Sequence, residues 1–436
     1  MFPLDAIFRR FVWRGRLRVT NYDGSVHEFG EPDAPLDSAI TLHNPDTAWR
    51  ISIHPALKIG EAYTDGALTI EHGTLLDLLR LLILNNRRWN ESLSGKIYYR
   101  AEDIIRLPSV LNWASRSRRN VKHHYDLSEE LFTLFLDSDR QYSCAYFRSD
   151  DADLETAQLH KRQHIAAKLH IQPGQHILDI GSGWGGLGLY LARHYPVRVT
   201  GLTLSEEQHR VSNARARQLG IADRVSFKLL DYRAETGVYD RIVSVGMFEH
   251  VGKPYFSAFF RKLQGLLKPE GVALIHTIGS SNVPSQINPW LRRYIFPGAY
   301  LPSLSQLTPV LERQKLWLTD MENLRLHYAL TLAAWHERFQ ANREHVGKLY
   351  DERFCRMWEY YLQSCEAGFR WSGLTVFQLQ LARDIEALPI TRDYMVREED
   401  RLRELDQRTP GTSETPLWTP PRPGQEDGEI GPTHAH

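Results

Sequence analysis

Between Ile177 and Gly186 the chain reads Ile-Leu-Asp-Ile-Gly-Ser-Gly-Trp-Gly-Gly, an apolar run that stops at spaced glycines. A backbone without Cβ atoms turns tightly there and lets a ligand approach closely. Gly181, Gly183 and Gly186 satisfy G-x-G-x-x-G, a weak signature of a dinucleotide loop. Two neighbouring features point elsewhere. Asp179 stands two residues ahead of Gly181, and the next apolar run ends in Gly201-Leu202-Thr203-Leu204-Ser205, with no acid to grip the ribose of a dinucleotide. A dinucleotide is therefore only one of the ligands that such a loop could hold. Further along, Glu249 and His276 follow successive apolar runs, the edge at which open α/β sheets place their sites.

The surrounding elements can position such a loop. From about 171 to 279, strand-like runs (His176 to Gly181, Val197 to Leu204, Val225 to Asp231, Arg241 to Val245, Val272 to Ile278) alternate with helical patterns. That alternation predicts βαβ units and a parallel sheet covered on both faces. Long helices follow at Tyr328 to Ala341 and Glu352 to Phe369, then a strand-like Leu374 to Leu381. Residues 1–110 mix strand-like Leu17 to Thr20 and Trp49 to Ile53 with turn pairs Asp23-Gly24 and Asp65-Gly66 and a helical Leu75 to Leu84, a small α+β unit. Residues 111–390 form the second domain, and 391–436, charged and then rich in Pro and Gly, read as a disordered tail.

Composition excludes several classes. Among 436 residues, 42% are apolar and 24% charged, which fits a globular chain and neither a disordered polyampholyte nor a fibrous repeat. Lys plus Arg equals Asp plus Glu at 53 each, so no whole-protein field draws it to nucleic acid, and no nucleic-acid partner is expected. Cys144, Cys355 and Cys365 are too few for a disulfide framework or a four-ligand zinc site, which favours a reducing cytoplasm and no metal. The N-terminus places Asp5 in its apolar run and arginines after it, unlike a signal peptide. Leu75 to Leu84 is far short of the roughly twenty residues a span requires, so any membrane contact is peripheral, at the inner surface. The same segment suits a homodimer interface or a domain core. Arg9, Arg10, Arg14, Arg16 and Arg18 among Phe8, Phe11 and Trp13, and the later cluster Arg116, Arg118, Arg119 and Lys122, read either as solvated faces or as a surface for anionic lipid headgroups.

The order Asp179-x-Gly181-x-Gly183-x-Gly185 resembles the cofactor loop of S-adenosylmethionine methyltransferases. The run His124-Tyr125-Asp126-Leu127 through Tyr142-Ser143-Cys144-Ala145-Tyr146-Phe147 narrows this further, together with Gln208, Met247-Phe248-Glu249-His250-Val251, His276-Thr277-Ile278-Gly279, and Tyr328 ahead of Ala334-Trp335. This set resembles the cyclopropane-fatty-acyl-phospholipid synthase family, which includes the mycolic acid cyclopropane synthases. Gly60-Glu61-Ala62-Tyr63 and Asp65-Gly66 look like the extra front domain of its phospholipid-acting members.

The resemblance implies an α/β fold: a Rossmann-like class I methyltransferase domain with a mainly parallel sheet, preceded by a smaller α+β domain. It implies methylene transfer from S-adenosylmethionine to the cis double bond of unsaturated phospholipid acyl chains, through a carbocation deprotonated by bound bicarbonate. The nearby alternative is a methyl-branched or methylene product. An alkene is a feeble nucleophile, so such a site must align it with the sulfonium, exclude water and surround the cation with π faces and a base. By the same resemblance Cys144, Glu249, His276, the backbone of Ile278, and Tyr328 form the bicarbonate cage. Cys365 matches a position described as catalytic, although a covalent thiol has no step in this chemistry. Cofactor contacts carried over are Tyr142, Ser143, Asp179, Gly181, Gly183, Gly185, Thr203, Leu204, Ser205, Gln208, Asp231 and Tyr232. Asn288 to Leu301, a basic pair among large apolar groups, reads as an irregular mouth for the acyl chain, with Arg292 and Arg293 near phosphate, or else as a lid packed only on its own protein.

Overall fold

The computed structural model describes residues 1, 3–91, 128–149, 151–282 and 287–408; the expectations for 124–127, for the Arg116 to Lys122 cluster and for 409–436 lie outside the described residues. The front unit runs α1 (Leu4–Phe11), β1 (Arg16–Thr20), β2 (Val26–Gly30), β3 (Asp37–Leu42), α2 (Thr47–Ile53), α3 (Pro55–Thr64), β4 (Leu68–His72) and α4 (Leu75–Glu91). Its sheet has the order β2-β1-β3-β4, with only β1 and β3 parallel. Trp49 to Ile53, expected as a strand, is helical in α2. Thr47, Ala48 and Ile51 are buried while Trp49 and Ile53 stay exposed, a helical rather than a two-residue period. The apolar α4 is core. Leu78 and Leu81 fill the front domain, while Leu75 and Leu79 join the cluster beneath the second domain's aromatic helices.

The second unit continues with α5 (Glu129–Phe135), α6 (Leu154–Leu169), β5 (His176–Ile180), α7 (Gly186–His194), β6 (Arg198–Thr203), α8 (Glu206–Gln218), β7 (Val225–Leu229), β8 (Tyr239–Val245), α9 (Phe256–Leu266), β9 (Leu267–Ser280), α10 (Pro289–Tyr294), α11 (Leu304–Arg313), β10 (Trp317–Asn323), α12 (His327–Ala341), α13 (Arg343–Leu349), α14 (Glu352–Trp371), β11 (Leu374–Ala382) and α15 (Asp393–Arg408). The strands form a seven-stranded sheet, β10-β11-β9-β8-β5-β6-β7. It is parallel from β9 to β7, with β11 antiparallel to both β9 and β10. In β5 Ile177 to Ile180 are all buried, as a strand covered on both faces requires. Side-chain caps fix where helices start: Asp153 accepts from Thr156 N at α6, Ser205 from Gln208 N at α8 and Asp351 from Phe354 N at α14.

Two other expectations are corrected. The segment from 391 is helix, not disordered tail, over Asp393–Arg408. Tyr394, Met395 and Leu402 are buried and α15 packs along α6, so this stretch is an amphipathic helix, with part of its charge turned inward through Glu399 and Asp406. Asn288 to Leu301 is likewise not an open mouth. Asn288 caps α10, and Trp290 is fully buried against Tyr360, with ring centroids 4.6 Å apart. Arg293 and the Tyr294 hydroxyl both engage Glu61 of the front domain.

Candidate active site

Strand β5 delivers the chain to Gly181, whose φ of +85° only glycine adopts without strain. A Cβ there would lie 2.8 Å from the Met247 Cβ, and at Gly185, also at +85°, it would lie 2.8 Å from Phe227 and Ser212. The loop thus folds back over β6 and β8 and leaves a cavity at their C-terminal ends. Its walls include Gly181, Gly183, Thr203, Leu204, Gln208, Asp231 and Tyr232, seven of the expected cofactor residues. Thr203 Oγ1 donates to Gln208 Oε1 at 2.8 Å and Ser205 Oγ caps Gln208 N, so these three side chains hold one another's geometry. Asp231 is bound to Arg233 at 2.6 and 2.8 Å. Asp179 is buried one residue before the cavity wall, and desolvation alone pushes its carboxyl up to about 7. Gly185 and Ser205 support the walls rather than form them. Met247, His250, Val251 and Tyr255 also line the cavity. The motif Met247 to Val251 was visible in the sequence, but only its glutamate had been given a role.

Glu249 sits in a 3-10 turn after β8. Strand β8 ends with Val245 opposite His276, and Gly246 N to His276 O closes the last rung. The next free donor on that edge of β9, Ile278 N–H, therefore takes the Glu249 Oε1 at 2.6 Å. Glu249 Oε2 is buried with no partner among the described residues. Burial pushes this carboxyl up to about 7, with the Ile278 N–H, its own backbone N–H and the Thr277 hydroxyl opposing the shift. Ile278 was expected to offer its N–H to an anion; in the structure that donor is committed to Glu249.

Cys144, Tyr328 and Cys365 share one buried cluster, with Tyr142 and Ile278 packed against it. Tyr328 lies within electrostatic reach of Tyr142, Cys144, Cys365 and Glu249. Its ring is 4.8 Å from Phe369 and 5.8 Å from Trp335, and Tyr142 stacks on Trp335 at 5.1 Å while its hydroxyl meets that of Tyr361 at 2.6 Å. Tyr142, expected at the cofactor, packs against this aromatic cluster, and Ser143 accepts from Lys161; neither is among the residues that line the glycine-walled cavity. Burial pushes the Cys365 thiol up to about 12 and the Cys144 thiol higher still. Neither is a thiolate at neutral pH, so neither is a prepared nucleophile. His276 is buried on the same face of β9 as Ile278, and burial holds its ring neutral. Lys161 on α6 was missed. It donates to Ser143 Oγ at 2.6 Å, and its charge reaches both Cys144 and His276. Burial lowers its ammonium to about 8. The available signal was the spacing Lys161, His164, Lys168, polar residues three and four apart on a helix whose neighbours Ile165 and Leu169 are core.

A mainly parallel sheet with this glycine loop and cavity defines a class I S-adenosylmethionine-dependent methyltransferase. The family described as mycolic acid cyclopropane synthetase matches residues 113–379. Cyclopropane-fatty-acyl-phospholipid synthase of Escherichia coli K12 is 38% identical over 357 residues, 81% of this chain and 89% of that protein. The tuberculostearic acid methyltransferase UfaA1 of Mycobacterium tuberculosis is 34% identical over 410 residues, 87% of this chain and 91% of its own. The solved mycolic acid cyclopropane synthase CmaA1 complexed with SAH and CTAB superposes with a TM-score of 0.56 at 34% identity, covering 62% of this chain and 99% of that one. The chain belongs to the cyclopropane synthase family.

Proposed function

We propose that this enzyme converts the cis double bond of unsaturated acyl chains in membrane phospholipids into a cyclopropane ring. The observation that carries the reading is Glu249. A buried carboxylate oxygen without a partner, beside aromatic faces and next to the cofactor cavity, is a place for a bound proton acceptor and a cation. S-adenosylmethionine supplies the carbon as a sulfonium methyl. Gly181, Thr203, Gln208 and Asp231 would hold its nucleoside and tail, and the glycine cradle fits because a Cβ would close it. The alkene π pair forms the new C–C bond as the C–S bond breaks onto sulfur. The resulting carbocation then loses a proton from the transferred carbon as the ring closes.

Bicarbonate fits as the group that accepts that proton. Glu249 Oε2, without a described partner, would take its O–H, while the Tyr328 hydroxyl, within electrostatic reach of Glu249, and the His276 ring N–H would donate to it. The role of Ile278 becomes orienting Glu249. Tyr142, Trp335 and Phe369 offer π faces to the positive charge. At the membrane, Trp13 and Trp49 with exposed Arg10, Arg14 and Arg18 are suited to anionic headgroups. Among the described residues no helix is long and apolar enough to cross a membrane.

Lipids from a host expressing the chain test this directly. Mass spectrometry should reveal one added CH2 per unsaturated chain, and NMR should identify ring protons; unchanged lipids would refute the proposal. A methyl-branched product is the second reading, favoured by the similarity to UfaA1, and NMR separates the two.

A further inference from the structure

His276, Gln378 and Glu322 stand in one row across β9, β11 and β10, each opposite the next in strand register. Facing this row, α6 presents His164 and Lys168, one turn apart and both buried. Lys168 Nζ donates to Gln378 Oε1 at 2.8 Å and to Glu322. His164 joins Glu322 at 2.7 Å through Nε2 and Glu399 of α15 at 2.5 Å through Nδ1. An ammonium has donors only, so the Gln378 atom beside it is the amide oxygen. The NH2 end then faces His276 Nδ1 at 3.2 Å. An amide NH2 is also donor-only, so Nδ1 accepts and the ring proton of neutral His276 lies on Nε2.

We propose that Gln378 and Lys168 are positioning residues that lock His276 as the Nε2–H tautomer, so that this nitrogen offers a donor to the proposed bound anion. The inference rests on the reading of His276 as such a donor. Lys168 fixes which end of the amide meets the ring, and Glu322 anchors Lys168. His164 and Glu399 hold Glu322 in turn, so α15, beyond the family-matched residues 113–379, joins the device. Without it the amide is free to rotate, and the acceptor face of the imidazole can turn toward a proton acceptor.

The test uses the full chain labelled with 15N-histidine, the His276 signals being assigned by their loss in His276→Gln. In the wild type near neutral pH, Nε2 should carry the proton and Nδ1 the pyridine-type shift. Gln378→Glu replaces the donor with an acceptor and should move the proton to Nδ1, with kcat falling roughly 100-fold. Affinity for S-adenosylhomocysteine should remain essentially unchanged. Gln378→Met, compared at equal melting temperature, should give mixed tautomers and an intermediate kcat. A wild-type proton on Nδ1, or inverted tautomers with undiminished kcat, would overturn the proposal. Host lipids without added CH2 would instead count against the reaction, whatever the tautomer.

Discussion

Glu249 keeps one oxygen on a backbone N–H and leaves the other alone in a buried space, an arrangement that stability by itself would remove. Its replacement by Gln should cut turnover by roughly 100-fold or more, the usual worth of a positioned acid or base. Cofactor affinity, measured calorimetrically with S-adenosylhomocysteine, should barely change, because Glu249 does not line the cofactor cavity. The same residue has a pH signature. Its carboxyl titrates at about 7 in the folded chain against 4.5 when free, so the native state holds the proton more tightly than the unfolded state. Its contribution to stability is therefore complete below about 4.5 and is lost as pH rises through about 7, a change on the order of 3 kcal/mol. Asp179 acts with the same sign, so the test is a difference. Denaturant unfolding of Glu249→Gln should lose less stability than the wild type between pH 5 and pH 8.

At the scale of elements, the strand-to-helix turn after β5 depends on conformations closed to side chains. Gly181→Ala puts a methyl 2.8 Å from Met247 at a positive φ, on the cavity wall itself. S-adenosylhomocysteine should bind roughly tenfold more weakly, about 1.4 kcal/mol, by calorimetry. Helix α15 is the other element with a distinct test. Its own Leu402 is fully buried, and it supplies Glu398 to Tyr195, Glu399 to His164 and Asp406 to Tyr190 and Gln163. A chain ending at residue 391 exposes that apolar face and strands several buried polar groups. Its melting temperature should fall by several degrees relative to the full chain, with turnover falling as His164 and Glu322 lose their tether.

Across the whole molecule, α14 joins the two domains. It carries Tyr361 and Cys365 into the aromatic cluster around Tyr328, while Tyr360 packs on Trp290 and Tyr63 and leaves no room for a side chain at Gly60. The front domain thereby braces the helix that carries Tyr361 and Cys365. It also carries exposed Trp13 and Trp49 and a set of arginines, of which Arg9 and Arg16 are paired and Arg10, Arg14 and Arg18 are exposed. Sedimentation with vesicles should detect binding that needs anionic lipid and weakens as salt rises from 0.05 to 0.5 M, since exposed charges are screened. Binding indifferent to both would remove this role for the front domain.

The glycine loop, the alternation of strands and helices, and the family motifs were written in local order along the chain, because close backbone approach and two-sided burial leave a residue-type signature wherever they occur. They were enough to name the cofactor loop and bring Glu249, His276 and Tyr328 into question. Local order could not reveal that Ile278 N–H is consumed by Glu249, which depends on where β8 stops beside β9. Nor could it show that Lys161 is buried beside Cys144, or that Lys168, Gln378 and His276 form one chain of contacts. Those are cross-strand and helix-on-sheet pairings, set by register between segments far apart in sequence. The burial of α10 and α15 belongs with them: an amphipathic or basic-aromatic stretch looks the same on paper whether solvent, a membrane or the rest of the chain covers its apolar side, and only packing decides which.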